Sequence, residues 1–223
     1  MLKTGGLRAV LFDWDGTLVD SAAASYRSYV RVFSEYGIEF DRVAFERTYT
    51  PDWYRTYEAV GLAKEHWPEA DARWTQAYEE ETSALLPGAR AALERLADAG
   101  LRPGLVSSGD ARRVRREIEA HGLRALFGEA VVCGGETKRR KPHPQPLLVA
   151  LERMGVPPGE AAYVGDSPED VTMAKAAGVF AVGIPGGFPN RDTLAAAAPD
   201  LLAQSLDAVV DALLASRRNG PTS

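Results

Sequence analysis

Short apolar runs alternate with longer amphipathic stretches over most of this chain. The runs, which predict strands, are residues 9–12, 104–106, 130–133, 161–164 and 180–183. A strand that is apolar at every position is typical of a parallel sheet covered on both faces. From about residue 86 onward, stretches of helical length separate these runs, which is the order of a strand–helix repeat. The pattern predicts an α/β fold: a Rossmann-like parallel sheet flanked by helices.

Capping signals mark where two of the predicted helices begin. Ser167 precedes a proline and two acids, of which Asp170 is the second. This order combines a side-chain cap, a proline at the first helical position and acids in the first turn. Asp110 is placed to cap an earlier helix, whose core face carries Val114 and Ile118.

Residues 21–85 break the alternation of strands and helices. This part has helical patterns at 21–36 and 68–85, no convincing strand, and many of the aromatic residues. We expect a small α-helical cap inserted after the first strand. Residues 1–20 and 86–223 then form the core and residues 21–85 the cap. Residues 47–55 hold cations and aromatic side chains suited to a small anionic or ring-bearing leaving group, but we expect these aromatic side chains to pack in the cap's own small core.

Composition excludes several classes of function. The 223 residues include 26 Lys and Arg against 31 Asp and Glu, a net charge of −5 that argues against a nucleic-acid or anionic-membrane partner. The arginines at 112–116 and the basic run at 138–141 are expected to be solvated rather than a nucleic-acid patch. Cys133 is the single cysteine, and no apolar run is long enough for a signal peptide or membrane span. We therefore expect a cytoplasmic protein; the sequence carries no signal for its oligomeric state.

Polar side chains stand just beyond three of the predicted strands. Asp13 and Asp15 follow the first strand, Ser107 the second and Asp166 the fourth, with Asp170 one helical turn later. In a parallel sheet these strand ends share one edge, so the side chains are expected to converge there.

The convergence of these groups favours phosphoryl transfer. Crowded carboxylates repel one another unless a cation neutralises them, and a carboxylate-rich set with few histidines suits Mg²⁺. Lys141 adds a cation, and the Ser107 hydroxyl adds a donor, which is what a phosphoryl group requires. Each residue alone has a structural explanation, such as a turn or a helix cap, so the combination carries the prediction.

Four motifs resemble, in order, those of the haloacid dehalogenase-like superfamily. They read DWDGT from Asp13, a hydrophobic strand ending in Ser107, the pair Lys141–Pro142, and GDSPED from Gly165. The similarity covers nearly the whole chain and is greatest to the phosphoglycolate phosphatase branch.

The resemblance implies a role for each catalytic and phosphate-binding residue. Asp13 is the expected nucleophile, which forms an aspartyl-phosphate intermediate. Asp15 is the expected acid and base, which protonates the leaving oxygen and then activates water. Ser107, with the amide of Ser108, is expected to hold the phosphoryl oxygens while Lys141 neutralises charge.

The resemblance also implies a Mg²⁺ site. Its expected ligands are the Asp13 carboxylate, the Asp15 backbone carbonyl and Asp166. Asp170 is expected to lie behind them, where it reaches the metal through water or orients Lys141.

Departures from the other branches favour a phosphatase acting on a small phosphorylated metabolite. Asp15 stands where halide-removing and phosphonate-cleaving members lack an acid, and Ser25 stands where the hexose-phosphate mutases carry a histidine. A phosphosugar mutase is the alternative within this fold, and a protein that binds phosphometabolites without turnover is a further one. Phosphoglycolate is the first substrate to test; sugar phosphates, nucleotides and pyrophosphate stay open.

Overall fold

A computed structural model describes residues 6–49 and 53–218, and its sheet is parallel throughout. In chain order its strands β1 to β6 are Ala9–Phe12, Arg102–Asp110, Val131–Gly134, Ala161–Gly165, Phe180–Gly183 and Leu201–Leu202. Their spatial order is β3-β2-β1-β4-β5-β6, so β1 lies in the middle of the sheet. This arrangement confirms the predicted α/β fold. Strand β6 was not predicted, because two residues are too few to show a periodicity.

Every predicted helix is present in the structure, although some of the bounds differ. In chain order α1 to α11 are Ser21–Glu35, Arg42–Thr48, Trp53–Ala59, Trp67–Glu80, Ala89–Asp98, Ala111–Ala120, Arg124–Phe127, Gln145–Met154, Pro168–Ala176, Arg191–Ala196 and Leu206–Arg218. Both predicted caps are present: the Asp110 side chain accepts from the first turn of α6, and Ser167 and Asp170 form a capping box at α9. Within the described ranges, no helix combines the length and the apolar character that a membrane span needs.

Alternate residues of β1 face two separate hydrophobic layers. Val10 and Phe12 pack in one cluster with side chains of α5, α6 and α11. Ala9 and Leu11 pack in the other with side chains of α8 and α9. All four residues are fully buried, which is why this strand is apolar throughout.

Residues 21–85, called the helical segment below, contain α1 to α4 and a third hydrophobic cluster. This cluster is built around Tyr29, Phe33 and Tyr57. The chain enters and leaves the segment side by side, because Asp20 N donates to Ala84 O (2.8 Å) and Leu86 N to Leu18 O (2.9 Å). The helix predicted over 68–85 was wrong at its end: α4 stops at Glu80, and Leu85 pairs with Val19, just ahead of the segment, in an isolated antiparallel bridge.

Candidate active site

Strand register brings the predicted site residues to one edge of the sheet. The Cα of Phe12 lies level with those of Leu105 on one side and Val164 on the other. Asp13 is one residue beyond this level, and Ser107 and Asp166 are two residues beyond it. Since the three strands are parallel neighbours, their polar ends meet.

Three buried carboxylates lie together at this edge. Oxygens of Asp13, Asp166 and Asp170 are all within 4.8 Å of one another. Burial raises the pKa of Asp13 to about 7, against the attraction of Lys141. Burial, followed by repulsion from Asp13 and Asp170, likewise holds the pKa of Asp166 well above its ordinary value. A cation at this point would stabilise the ionised forms.

Lys141 is the cation that the chain itself places in the cluster. Its Nζ donates to Asp13 Oδ1 (2.6 Å), the Tyr163 hydroxyl (2.7 Å) and Asp170 Oδ1 (2.8 Å), which accounts for all three of its hydrogens. Burial favours its neutral form, but attraction to Asp13 and Asp170 outweighs burial and raises the pKa of Lys141. Lys141 is therefore a charged and fully oriented group.

Asp170 and Asp166 differ in whether a carboxylate oxygen remains available to a metal ion. Asp170 has both oxygens engaged: Oδ1 accepts from Lys141, and Oδ2 accepts from the Ser167 amide (3.1 Å) and hydroxyl (2.7 Å). Asp166 Oδ2 is buried and, among the described residues, has no hydrogen-bond partner. Gly16 and Gly186 lie so close to Asp166 that a Cβ at either position would overlap it. This acidic and closely packed set fits a small divalent cation that prefers oxygen ligands.

The predicted phosphate-binding serines are consecutive residues of β2, which continues to Asp110 and is therefore longer than predicted. Ser107 is buried, and its Oγ accepts from Gly109 N (2.9 Å), which leaves the hydroxyl hydrogen to donate elsewhere. Ser108 and Gly109 line a cavity of about 450 Å³ together with Asp13 and Lys141. Asp15, Asp166 and Asp170 also line this cavity, called the acidic cavity below.

The Asp15 side chain lies to one side of the acid cluster, against Arg113 of α6. Arg113 Nη1 and Nη2 donate to Asp15 Oδ1 (3.1 Å) and Oδ2 (2.7 Å), and the Tyr78 hydroxyl of α4 donates to Oδ1 (3.3 Å). The expectation that the arginines at 112–116 and the basic run at 138–141 are solvated was wrong for two residues. The side chain of Lys141 is 7% exposed, and so is that of Arg113. Its burial is possible because two acids, Asp15 and Glu117, compensate its charge.

A second layer of buried polar contacts fixes Arg113. Glu117 Oε2 accepts from Arg113 Nη1 (3.1 Å) and from the indole of the fully buried Trp14 (2.6 Å). Sequence reasoning missed this network, although a signal was present. Positions 113 and 117 directly precede the core positions Val114 and Ile118, so they lie on the same side of α6.

Comparisons with known proteins agree with this fold. The sequence model that describes the haloacid dehalogenase-like hydrolase family matches residues 10–184 of this chain. Phosphoglycolate phosphatase of Escherichia coli (strain K12) is 32% identical, covering 96% of this chain and 95% of its own.

Two solved structures show the same fold. A protein described as a predicted phosphoglycolate phosphatase from Haemophilus somnus has a TM-score of 0.79 at 22% identity, covering 93% of this chain and 98% of its own. A Thermotoga maritima protein described as a candidate beta-phosphoglucomutase has a TM-score of 0.74 at 24% identity, covering 94% and 99%.

The chain therefore belongs to the haloacid dehalogenase-like hydrolases, the family that its four motifs resemble. Within that family it is a phosphoric monoester hydrolase, as its similarity to phosphoglycolate phosphatases over nearly its whole length shows.

Proposed function

We propose that this protein is a Mg²⁺-dependent phosphatase that hydrolyses a small phosphomonoester through an aspartyl-phosphate on Asp13. The observation that carries the proposal is the arrangement around Lys141, whose ammonium holds the buried carboxylates of Asp13 and Asp170 at 2.6 and 2.8 Å. The helical segment then serves as the cap over this edge of the sheet.

Asp13 is the proposed nucleophile because it combines a position at the strand end with a compensating cation. Its Oδ1 bonds to Lys141, so its orientation toward the acidic cavity is set before a substrate arrives. Attack on phosphorus forms the aspartyl-phosphate and breaks the ester bond. Lys141 stays charged throughout and offsets the negative charge of the transferring group, whose oxygens accept from Ser107 and the Ser108 amide.

Asp15 is the proposed acid and base. Its carboxyl group, held by Arg113 and Tyr78, also lines the acidic cavity. It gives a proton to the leaving oxygen when the aspartyl-phosphate forms. It then takes a proton from the water that hydrolyses this intermediate.

Asp13, Asp166 and the Asp15 backbone carbonyl are the residues that would hold Mg²⁺. When bound, the ion supplies positive charge to the phosphoryl oxygens and to the nucleophile. Asp170, with both oxygens engaged by Lys141 and Ser167, orients Lys141 instead.

The experiment is a phosphate-release assay of the purified protein, in Mg²⁺ and in EDTA, on phosphoglycolate, sugar phosphates, nucleotides and pyrophosphate. We expect Mg²⁺-dependent release from at least one ester, loss of release in Asp13→Asn, and a phosphorylated Asp13 peptide after acid quenching. Asp41→Asn, which keeps the cap of α2, is the matched control. Turnover in a clean Asp13→Asn preparation would contradict the nucleophile, and isomerisation of a sugar phosphate without net release would favour the mutase alternative.

A further inference from the structure

A second cavity adjoins the acidic cavity at the boundary between the helical segment and the sheet. Its volume is about 480 Å³, and it shares with the acidic cavity the lining residues Asp15, Tyr49, Ser108, Gly109 and Phe188. A phosphate group in the acidic cavity would therefore direct the rest of its ester into this second space, called the leaving-group cavity below.

Aromatic rings form much of the wall of the leaving-group cavity. Trp74 and Tyr78, one turn apart on α4, stack with ring centroids 4.8 Å apart and an interplanar angle of 12°. Tyr49 and Phe188 stack at 4.7 Å and 22° and connect the two cavities. Such surfaces favour flat, apolar ligand groups over small solvated ones.

One polar atom of this wall lacks a partner within the protein. The indole nitrogen of Trp74 is buried and, among the described residues, has no hydrogen-bond acceptor. A buried donor without an acceptor costs free energy, so the Trp74 side chain is not fixed in place by a hydrogen bond to the described residues.

The charges around the leaving-group cavity disfavour a carboxylate. Asp15, Glu79 and Asp110 are in its wall, and Arg113 is the sole cation among the described residues that line it. Arg113 is already engaged by Asp15 and Glu117, and its guanidinium lies 5.0 Å from the centre of the Tyr78 ring. A carboxylate here would meet three acids and no available cation, at a cost in desolvation and repulsion.

We propose that the leaving group of this phosphatase is uncharged and carries a ring, in contrast to the carboxylate-bearing leaving group of phosphoglycolate. This inference rests on the proposed function, since it takes the acidic cavity as the phosphate site. Trp74 and its neighbours in the wall then select the substrate, and the acid cluster carries out the reaction.

The test compares kcat/KM of the full-length protein with Mg²⁺ on three esters of primary alcohols: benzyl phosphate, ethyl phosphate and phosphoglycolate. We expect benzyl phosphate to exceed each of the others by about tenfold or more, the effect of burying one aromatic ring. In Trp74→Leu, the loss for benzyl phosphate is expected to be at least about fivefold greater than the loss for phosphoglycolate.

Trp67→Phe is the matched control. Trp67 is on the same helix but stacks on Tyr54 and donates to Leu62 O, outside the lining of the leaving-group cavity. Preference for phosphoglycolate, or equal losses for both esters in Trp74→Leu, would overturn the inference and leave the proposed function standing. Absence of release from all three esters, with release from another ester of the broader panel, would overturn the inference alone. Absence of Mg²⁺-dependent release from every ester of both panels by the unmodified protein would overturn the proposed function and the inference with it.

Discussion

Arg113 and Asp15, 98 residues apart in the chain, form a two-point ion pair at the edge of the sheet. The two guanidinium nitrogens contact the two carboxylate oxygens, so the pair limits rotation of the carboxylate as well as its position. Arg113 is held in turn by Glu117, which bonds to Trp14. The proposed acid and base is therefore supported by α6, the helix that follows β2, and Arg113 acts as a positioning residue.

Arg113→Met is expected to lower kcat/KM most for esters that require a proton on the leaving oxygen. General acid catalysis contributes about a hundredfold or more, so we expect a loss of that order for ethyl phosphate. The loss should be about tenfold smaller for p-nitrophenyl phosphate, whose leaving group departs without a proton. Steady-state assays on both esters measure this ratio.

Two further variants separate positioning by Arg113 from general destabilisation. Arg113→Lys keeps the positive charge but not the two-point guanidinium contact, so we expect it to lose less kcat/KM for ethyl phosphate than Arg113→Met does. Arg112→Met removes an exposed neighbour on the same helix and should change neither ester's turnover. Equal losses for both esters in Arg113→Met would show that Arg113 supports only the fold.

Lys141→Met should destabilise the metal-free protein strongly. The substitution leaves Asp13 and Asp170 buried without their cation, and removing one partner of a buried ion pair costs about 3 to 5 kcal/mol. Urea unfolding in EDTA measures this change. Lys138→Met, an exposed substitution in the same loop, is the control; similar losses in both variants would rule out charge compensation by Lys141.

Tyr163→Phe is expected to act through the orientation of Lys141. The Tyr163 hydroxyl accepts from Lys141 (2.7 Å) and donates to Val106 O (2.8 Å), so its loss leaves two buried polar groups short of a partner. We expect a loss of about 1 to 3 kcal/mol in unfolding free energy and a lower kcat with little change in KM. An unchanged kcat in a destabilised variant would restrict Tyr163 to a structural role.

Stabilisation by Mg²⁺ should increase with pH. The folded-state pKa of Asp13, about 7, lies above its usual 3.8, and that of Asp166 is also raised. The unfolded chain therefore releases these protons at lower pH than the folded protein does. The two protonated carboxyl groups stabilise the metal-free folded protein at about pH 4, and this stabilisation falls as pH rises to about 7. Because Mg²⁺ favours the ionised carboxylates, the increase in Tm on adding Mg²⁺ should be larger at about pH 8 than at about pH 5.5.

Thermal unfolding in EDTA and in Mg²⁺ at the two pH values measures this dependence. In Asp166→Asn the difference between the two pH values should shrink, since one of the titrating groups is gone. An equal effect of Mg²⁺ at both pH values would contradict binding by these carboxyl groups.

Strand ends could be predicted from the sequence, whereas contacts between distant elements could not. Asp13, Ser107 and Asp166 follow apolar runs, and parallel register alone brings them together. Arg113 looked like one of several arginines on a helix, because its partner Asp15 lies 98 residues away. The ion pair between Arg113 and Asp15 depends on how α6 packs against the sheet, and no local sequence pattern predicts that packing.

The aromatic residues of the helical segment illustrate the same limit. The expectation that the aromatic side chains of residues 47–55 pack in a core of the segment's own was confirmed for Tyr49, which packs against the third cluster. Tyr49 also lines the leaving-group cavity, as do Tyr29, Trp74 and Tyr78. Sequence periodicity predicts which face of a helix carries a ring, but the packing of that helix against its neighbours decides whether this face contacts a hydrophobic core or a cavity.

The two hydrogen bonds at the ends of the helical segment, Asp20 N to Ala84 O and Leu86 N to Leu18 O, have a consequence for the evolution and engineering of this protein. Because the ends lie next to each other, an insertion or replacement between them changes the loop-closure entropy only slightly, even when its length changes considerably. The register that aligns Asp13 with Ser107 and Asp166 involves no residue between those ends. A chimera that exchanges residues 21–85 for the equivalent part of a relative would thus alter substrate choice and keep this register, and it would keep the contact with Asp15 where the relative supplies a counterpart of Tyr78.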